Sequence, residues 1–269
     1  MSETDKVFAG AVPALYDRYL GPLLFAPYAA DLTGRLSDLT AGRLLEIAAG
    51  TGIVTRALDR VLPADVQILA TDLNQPMLDH AARQLASPRV RWQQADALAL
   101  PFEDGFVDVV VCQFGVMFFP DRLRAYREVR RVLKPGGRFL FNVWDRIEEN
   151  EFAYLVTGAM KDLFPQDPPM FLQRVPHGHH DSETIRHELR QAGFTDVTCE
   201  TLACRSRATS ARDPATGYCQ GTPLRNEIEA RDVGRLQEAT DAAADAIAAR
   251  FGTGPVDGKI QAHIVSTSA

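Results

Sequence analysis

The sequence predicts an α/β fold built on a doubly wound, mostly parallel sheet of seven strands. Three observations predict it. From residue 43 onward, short apolar runs alternate with helical patterns, and short turns join them. The run Val107-Asp108-Val109-Val110-Val111-Cys112 is nearly continuously apolar, as a central parallel strand is. And the polar residues that close these runs, Glu46, Asp72, Asp96 and Gln113, fall at successive strand ends, where open parallel sheets bind their ligands.

The 269 residues allow one large domain with a cover. The expected division is an N-terminal helical arm or lid over residues 1–39, then a domain over 40–269. That domain has its core at 43–145 and helical cover segments at about 146–181 and 210–251. A net charge of −6 argues against general nucleic-acid binding, because phosphate contacts need a basic surface. The start, Met1 to Lys6, lacks the basic-then-apolar layout of a secretion signal, and no apolar run approaches a membrane span. Cys112, Cys199, Cys204 and Cys219 form no Cys-x-x-Cys pair and read as reduced thiols of a cytoplasmic protein.

In the arm, Pro13, Pro22 and Pro27 are expected to break residues 7–39 into short helices. Its tyrosines read first as packing residues, with Tyr16 the one candidate to face a ligand. The first sheet unit is Leu44-Leu45-Glu46-Ile47, then Ala48-Ala49-Gly50-Thr51-Gly52, then a helix from Ile53. Gly50 and Gly52 allow a tight turn and a close approach to the main chain. The helix start offers N–H groups and a positive dipole end. An ordinary glycine turn would look the same.

Val66 to Thr71 is the second strand, ending at Asp72; Asn74-Gln75-Pro76 starts the next helix. Val90 to Ala95 is the third strand, ending at Asp96, and residues 101–105 form a loop. After the fourth strand a helix begins near Asp121, with Leu123, Tyr126, Val129, Val132 and Leu133 on its buried face. Arg124, Arg127, Arg131 and Lys134 mark its wet face, and Lys134-Pro135-Gly136-Gly137 stops it. Arg138 to Trp144 is the fifth strand. Residues 148–164 read as helix, 165–181 as a long solvated loop, and Ser182 as the cap of a helix ending at Gly193. Phe194 to Arg207 reads as a strand with Val197, Cys199 and Thr201 on one side. Helices follow over 210–250, joined near Gly221-Thr222-Pro223, and Ile260 to Val265 closes the sheet.

Asp72 follows Gly50 at a spacing that also suits a nicotinamide dinucleotide fold, where an acid binds ribose hydroxyls. Two features oppose that reading. Thr55 stands where the third glycine belongs, and Glu46 would place negative charge near a pyrophosphate. A ligand bearing an amino group would welcome Glu46.

Five motifs in order resemble a known family. They are Leu45-Glu46-Ile47-Ala48-Ala49-Gly50-Thr51-Gly52, Thr71-Asp72-Leu73-Asn74-Gln75-Pro76-Met77, and Gln94-Ala95-Asp96-Ala97 with Leu100-Pro101-Phe102. Then come Phe106-Val107-Asp108-Val109-Val110 and Arg131-Val132-Leu133-Lys134-Pro135-Gly136-Gly137. Over residues 43–145 the chain resembles the class I S-adenosylmethionine-dependent methyltransferases, of the ubiquinone/menaquinone-biosynthesis type. It departs at Ala48, where that family usually carries its first glycine. The resemblance implies a Rossmann-like methyltransferase fold and S-adenosyl-L-methionine as cofactor, with S-adenosyl-L-homocysteine as product. It implies that Glu46, Ala48, Gly50, Thr51 and Gly52 hold the methionine part, and that Asp72 takes the ribose diol. Leu73 and Met77 would line the adenine, Asp96 and Ala97 would meet its edge, and Gln113 and Phe114 would lie beside the methionine part and the methyl.

The implied reaction is an in-line displacement that needs alignment and water exclusion more than a base, so the sequence carries no obligatory triad. Candidates for a base are His179 and His180, in a cluster with His177 and Asp181 whose spacing fits no standard zinc pattern. Trp144, Tyr218 and Arg225 are candidates for contact with a small-molecule acceptor, although a surface ion pair also accounts for Arg225. The alternatives are an NAD(P)-dependent oxidoreductase and a non-catalytic S-adenosylmethionine-binding regulator. The oligomeric state stays open, a homodimer included.

Overall fold

The computed structural model describes Asp5 and residues 12–269. The remainder of the expected arm, 1–4 and 6–11, lies outside the described residues. Seven strands form one sheet: β1 Gly42–Glu46, β2 Val66–Asp72, β3 Val90–Gln94, β4 Val107–Gln113, β5 Leu133–Trp144, β6 Thr198–Ala208 and β7 Val256–Ser268. Their order is β3-β2-β1-β4-β5-β7-β6. β1 lies between β2 and β4, in parallel with both, and Leu45 is level with Leu69 and Val110. The chain leaves β1 toward β2 and β3, then returns to β1's other side as β4. The switch point therefore falls between β1 and β4. β7 runs against β5: Gly136 N donates to Ala269 O at one end and Asp145 N to Gln261 O at the other.

Alternation along the strands gives each face its own filling. On one face, aliphatic Leu44, Ile68, Val109, Val111 and Leu140 pack with Val54 and Leu58 of α3 (Ile53–Val61) and with Ala29 and Leu32 of α2 (Ala26–Gly34). On the other, Phe139 and Phe141 stack at 4.7 Å and meet Tyr126 of α5 (Arg122–Val132). α4 (Gln75–Gln84) has Asn74 at its N-cap position and proline in its first turn, as the sequence predicts.

The chain divides into two compact units. One, Tyr28–Val143, His180–Leu202 and Ala262–Ala269, holds β1 to β4 and most of β5. The other comprises Met1–Pro27, Trp144–His179 and Ala203–Gln261. In this second unit α11 (Leu236–Phe251) packs on α6 (Glu151–Leu163) and α9 (Arg212–Gln220). Glu151 accepts from Lys259 N and from Arg250, both at 2.6 Å, and Arg174 forks onto Asp5 while also reaching Glu227. Among the described residues no helix is long and apolar enough to cross a membrane.

Several expectations need correction. The prolines do not break the arm. Helix runs from α1 (Val12–Leu15) through a π-helical stretch, Tyr16–Phe25, into α2, and Ala26 N reaches back to Gly21 O. The wider π turn re-aims the carbonyl that the ring of Pro22 would strike in an α-helix. Lys134 to Gly137 do not follow α5 as a stop: β5 begins at Leu133 and these residues bulge from it, since Val107 faces Leu133 but Val109 faces Arg138. Leu123 is half-buried. Arg131 is no free wet-face residue; it bonds Glu128, Asp104 and the carbonyls of Leu100 and Phe102, and so holds the 101–105 loop. The cap of α8 (Ser182–Gln191) is Asp181, not Ser182, accepting from Glu183 N and Thr184 N. β6 starts only at Thr198, and Thr201 is exposed, because the buried side shifts to Leu202, Cys204 and Ser206.

Candidate functional site

At the switch point β1 ends on Glu46 and the next six residues form a pinned turn. Ile47 N donates to Val111 O on β4 at 3.0 Å, and Ala49 N donates to Thr71 O on β2 at 2.9 Å. Gly50 and Gly52 take the left-handed backbone, φ +57 and +78. They do so for different reasons. A Cβ on Gly52 would stand 2.8 Å from the Trp92 ring and 3.0 Å from the Ala81 methyl, so packing excludes it. A Cβ on Gly50 would meet only the end of Met77 at 3.7 Å, so conformation alone demands glycine there. Ala48 is also left-handed, φ +55, at a cost of about 1–2 kcal/mol for a residue with a Cβ.

Two carboxyl groups flank this turn. Glu46 is 1 % exposed. Its Oε2 accepts from the Thr55 hydroxyl at 2.6 Å, and among the described residues it has no ion-pair partner. Burial pushes its pKa up to about 8, against the pull of the Thr55 bond; nearby Asp72 raises it further and Arg56 lowers it. The residue that spoils the dinucleotide fingerprint, Thr55, is thus the one that holds this acid. Asp72 accepts from Gly50 N and Asn74 N, each at 2.8 Å. Burial raises its pKa and these amides oppose the rise. The sequence reading gives the turn's N–H groups to an outside anion, but the Gly50 N–H is met by Asp72. Asn74 Nδ2 also reaches Oδ1 of Asp72 at 3.4 Å; a carboxylate has about four lone-pair sites, so Oδ2 keeps an open site while Oδ1 is already shared.

Beyond β2, Leu73 is 46 % exposed, whereas Met77 and Ala97 are buried. Asp96 is exposed, two residues past β3, and its Oδ1 caps the turn at Leu98 N.

Across the switch point, Gln113 ends β4 level with Asn142 of β5. Phe114 then turns left-handed, φ +53, and its N–H is shared between Asn142 O and Asn142 Oδ1, each at 3.1 Å. The Tyr28 ring meets Phe114 edge-on at 5.2 Å, and its hydroxyl donates to Leu202 O. A Cβ on Gly115 would stand 2.5 Å from the Ala48 methyl and 2.7 Å from Cys112 Sγ. So the missing side chain at 115 admits the extra methyl at 48. Gly115→Ala is therefore expected to cost about 2–3 kcal/mol. Adding Ala48→Gly should return part of that loss in urea melts; strictly additive losses would mean that the two loops do not touch. Asn142 escapes the sequence reading, although an amide inside Phe139-Leu140-Phe141-Asn142-Val143-Trp144 is a readable signal.

In the second unit the aromatic candidates form a line. Tyr16 stacks on Phe25 at 4.8 Å, Phe25 lies 6.4 Å from Trp144, and Trp144 lies 6.1 Å from His177. The solvated-loop reading fails here: His177 and His179 are 5 % and 6 % exposed, because a short helix, α7 (Phe171–Arg174), and the turns after it fold this segment inward. His177 Nδ1 lies 2.8 Å from Asp145 O; a carbonyl only accepts, so Nδ1 carries the proton. His180 is half-buried, and Asp181 is occupied as a helix cap. Tyr218 is buried, which raises its phenol pKa. Arg225 pairs with Glu229 at 2.9 Å on α10 (Leu224–Arg231), which favours the ion-pair reading.

Residues 45–141 match the methyltransferase-domain family. The chain is 31% identical over 180 residues to the ubiquinone/menaquinone biosynthesis C-methyltransferase UbiE of Marinomonas sp., covering 62% of this chain and 72% of that protein. Among solved structures, it superposes on Haemonchus contortus phosphoethanolamine N-methyltransferase 2 in complex with S-adenosyl-L-methionine. There the TM-score is 0.60 at 16% identity, covering 95% of this chain and 56% of the other. The [4+2]-cyclase SpnF also shares the fold, with TM-score 0.54 at 21% identity, covering 89% and 80%. These structural likenesses speak for the fold and not for the reaction.

Proposed function

The chain belongs to the class I S-adenosylmethionine-dependent methyltransferases, and from that premise we propose that it methylates a small-molecule acceptor by in-line displacement. The reading is carried by the pair of acids at the switch point. Glu46 is a buried carboxyl with no ion-pair partner among the described residues, and Asp72 is a fixed acceptor one turn away. Those groups fit an amino-acid end and a ribose diol respectively, and the exposed Leu73 fits an adenine face. They do not suit a pyrophosphate.

In this reading Glu46 and the turn from Ala48 to Gly52 bind the methionine part, and Asp72 binds the ribose hydroxyls. Leu73 and Met77 line the adenine, with Asp96 and Ala97 at its edge, and Gln113 and Phe114 lie near the methyl. When bound, S-adenosyl-L-methionine supplies an electrophilic methyl on sulfonium sulfur, already a good leaving group. The residues' own work is to hold it in one orientation and to exclude water. The protein acts in the cytoplasm, where Cys112, Cys199, Cys204 and Cys219 remain thiols.

The test is a thermal melt with S-adenosylmethionine, S-adenosylhomocysteine or NADH at about 100 times an expected dissociation constant. That excess adds about 2.7 kcal/mol, a shift of several degrees. Both sulfur ligands should raise the midpoint and NADH should not. A shift with NADH alone would overturn the reading.

A further inference from the structure

We propose that Asn142 is a positioning residue for the methionine end of the cofactor site, acting through the backbone of Phe114. The inference rests on the placing of Gln113 and Phe114 proposed above. Asn142 is fully buried in a strand of apolar neighbours. Its Oδ1 accepts from Phe114 N, while its Nδ2 has no hydrogen-bond partner among the described residues. A buried amide with an unused donor is a costly residue compared with a leucine of similar shape. What it contributes is the one bond it makes.

That bond is not required to satisfy the Phe114 N–H, since the carbonyl of Asn142 also accepts it. What it adds is aim. Phe114 is bulky and left-handed, a conformation that only glycine takes freely. The second acceptor, Oδ1, pulls the N–H to the side and holds the chain in this turn. The turn places Gly115 against the Ala48 methyl and fixes where β4 delivers Gln113. Asn142 thereby keeps the loop after β4 in register with the loop after β1. The adenine and ribose contacts lie on the other side of β1, toward β2 and β3, and do not depend on it.

The test compares two ligands by calorimetry on the full chain: S-adenosylhomocysteine, and methylthioadenosine, which lacks the amino-acid end. Asn142→Leu should weaken S-adenosylhomocysteine by about tenfold or more and leave methylthioadenosine within about threefold. Asn142→Asp keeps an oxygen toward Phe114 and replaces only the nitrogen that has no partner among the described residues, so it should restore most of the S-adenosylhomocysteine affinity. Should the leucine variant fail to fold, Asn142→Ser carries the same expectation. Unchanged S-adenosylhomocysteine affinity in a folded variant, or equal loss of both ligands, overturns the role of Asn142. A wild-type protein that binds both ligands equally overturns the placing of the methionine end itself.

Discussion

Asp72→Ala is expected to weaken S-adenosylhomocysteine binding about a hundredfold. Two losses combine. In the cofactor reading, the ribose diol loses an acceptor for both hydroxyls, and bonds to a charged acceptor are worth about 1.5–3 kcal/mol each. The turn also loses the group that ties it, since Gly50 N and Asn74 N both end on this carboxylate. Asp72→Asn separates the two. It keeps an oxygen for one amide but puts a donor where the second amide points, so its midpoint should fall while it retains part of the affinity. A variant that melts earlier yet binds S-adenosylhomocysteine as the wild type does would make Asp72 a turn residue only.

The affinity for S-adenosylhomocysteine should also rise with pH between 6 and about 8. Burial puts the pKa of Glu46 at about 8, so in the free protein at lower pH this acid is protonated. An ammonium group arriving beside it favours the charged form, and the proton leaves. One proton released per ligand means a gain of up to about tenfold per pH unit. Near pH 8 the gain ends, because Glu46 is by then ionised in the free protein and binding no longer releases a proton. Stability of the free protein has the opposite sign. Glu46 binds its proton more tightly folded than unfolded, so its contribution is fully present below its ordinary pKa. It is lost as pH rises toward about 8. Glu46→Gln should flatten both profiles, and methylthioadenosine should show no slope even with the wild type. Proton release is read from binding heats in buffers of different ionisation enthalpy. A pH-independent affinity for S-adenosylhomocysteine would remove Glu46 from the amino-acid end.

The switch point is legible in the sequence because its signals are local. Apolar runs end abruptly on Glu46, Asp72 and Gln113, and each run is long enough to be a buried parallel strand. What escapes depends on partners far along the chain. Nothing near His177 announces that Asp145 O will receive its ring N–H and carry it inside. Proline rules describe α-helices, so a π register at Tyr16–Phe25 defeats them. The motif Lys134 to Gly137 looks like a helix stop, yet its glycines are spent in a bulge stitched to Ala269. Ser182 and Asp181 are both good caps, and only geometry chooses between them.

The order of the strands leaves β3 and β6 at the rims of the sheet. β3 has five residues, with Arg91, Gln93 and Gln94 exposed. β6 is longer but lines its rim with Glu200, Arg205 and Arg207, and Asp257 grips both arginines. A rim that is short at one side and charged at the other is a poor template for the main chain of a neighbouring molecule. Shortness at β3 and charge at β6 thus work against edge-to-edge stacking of one copy on another.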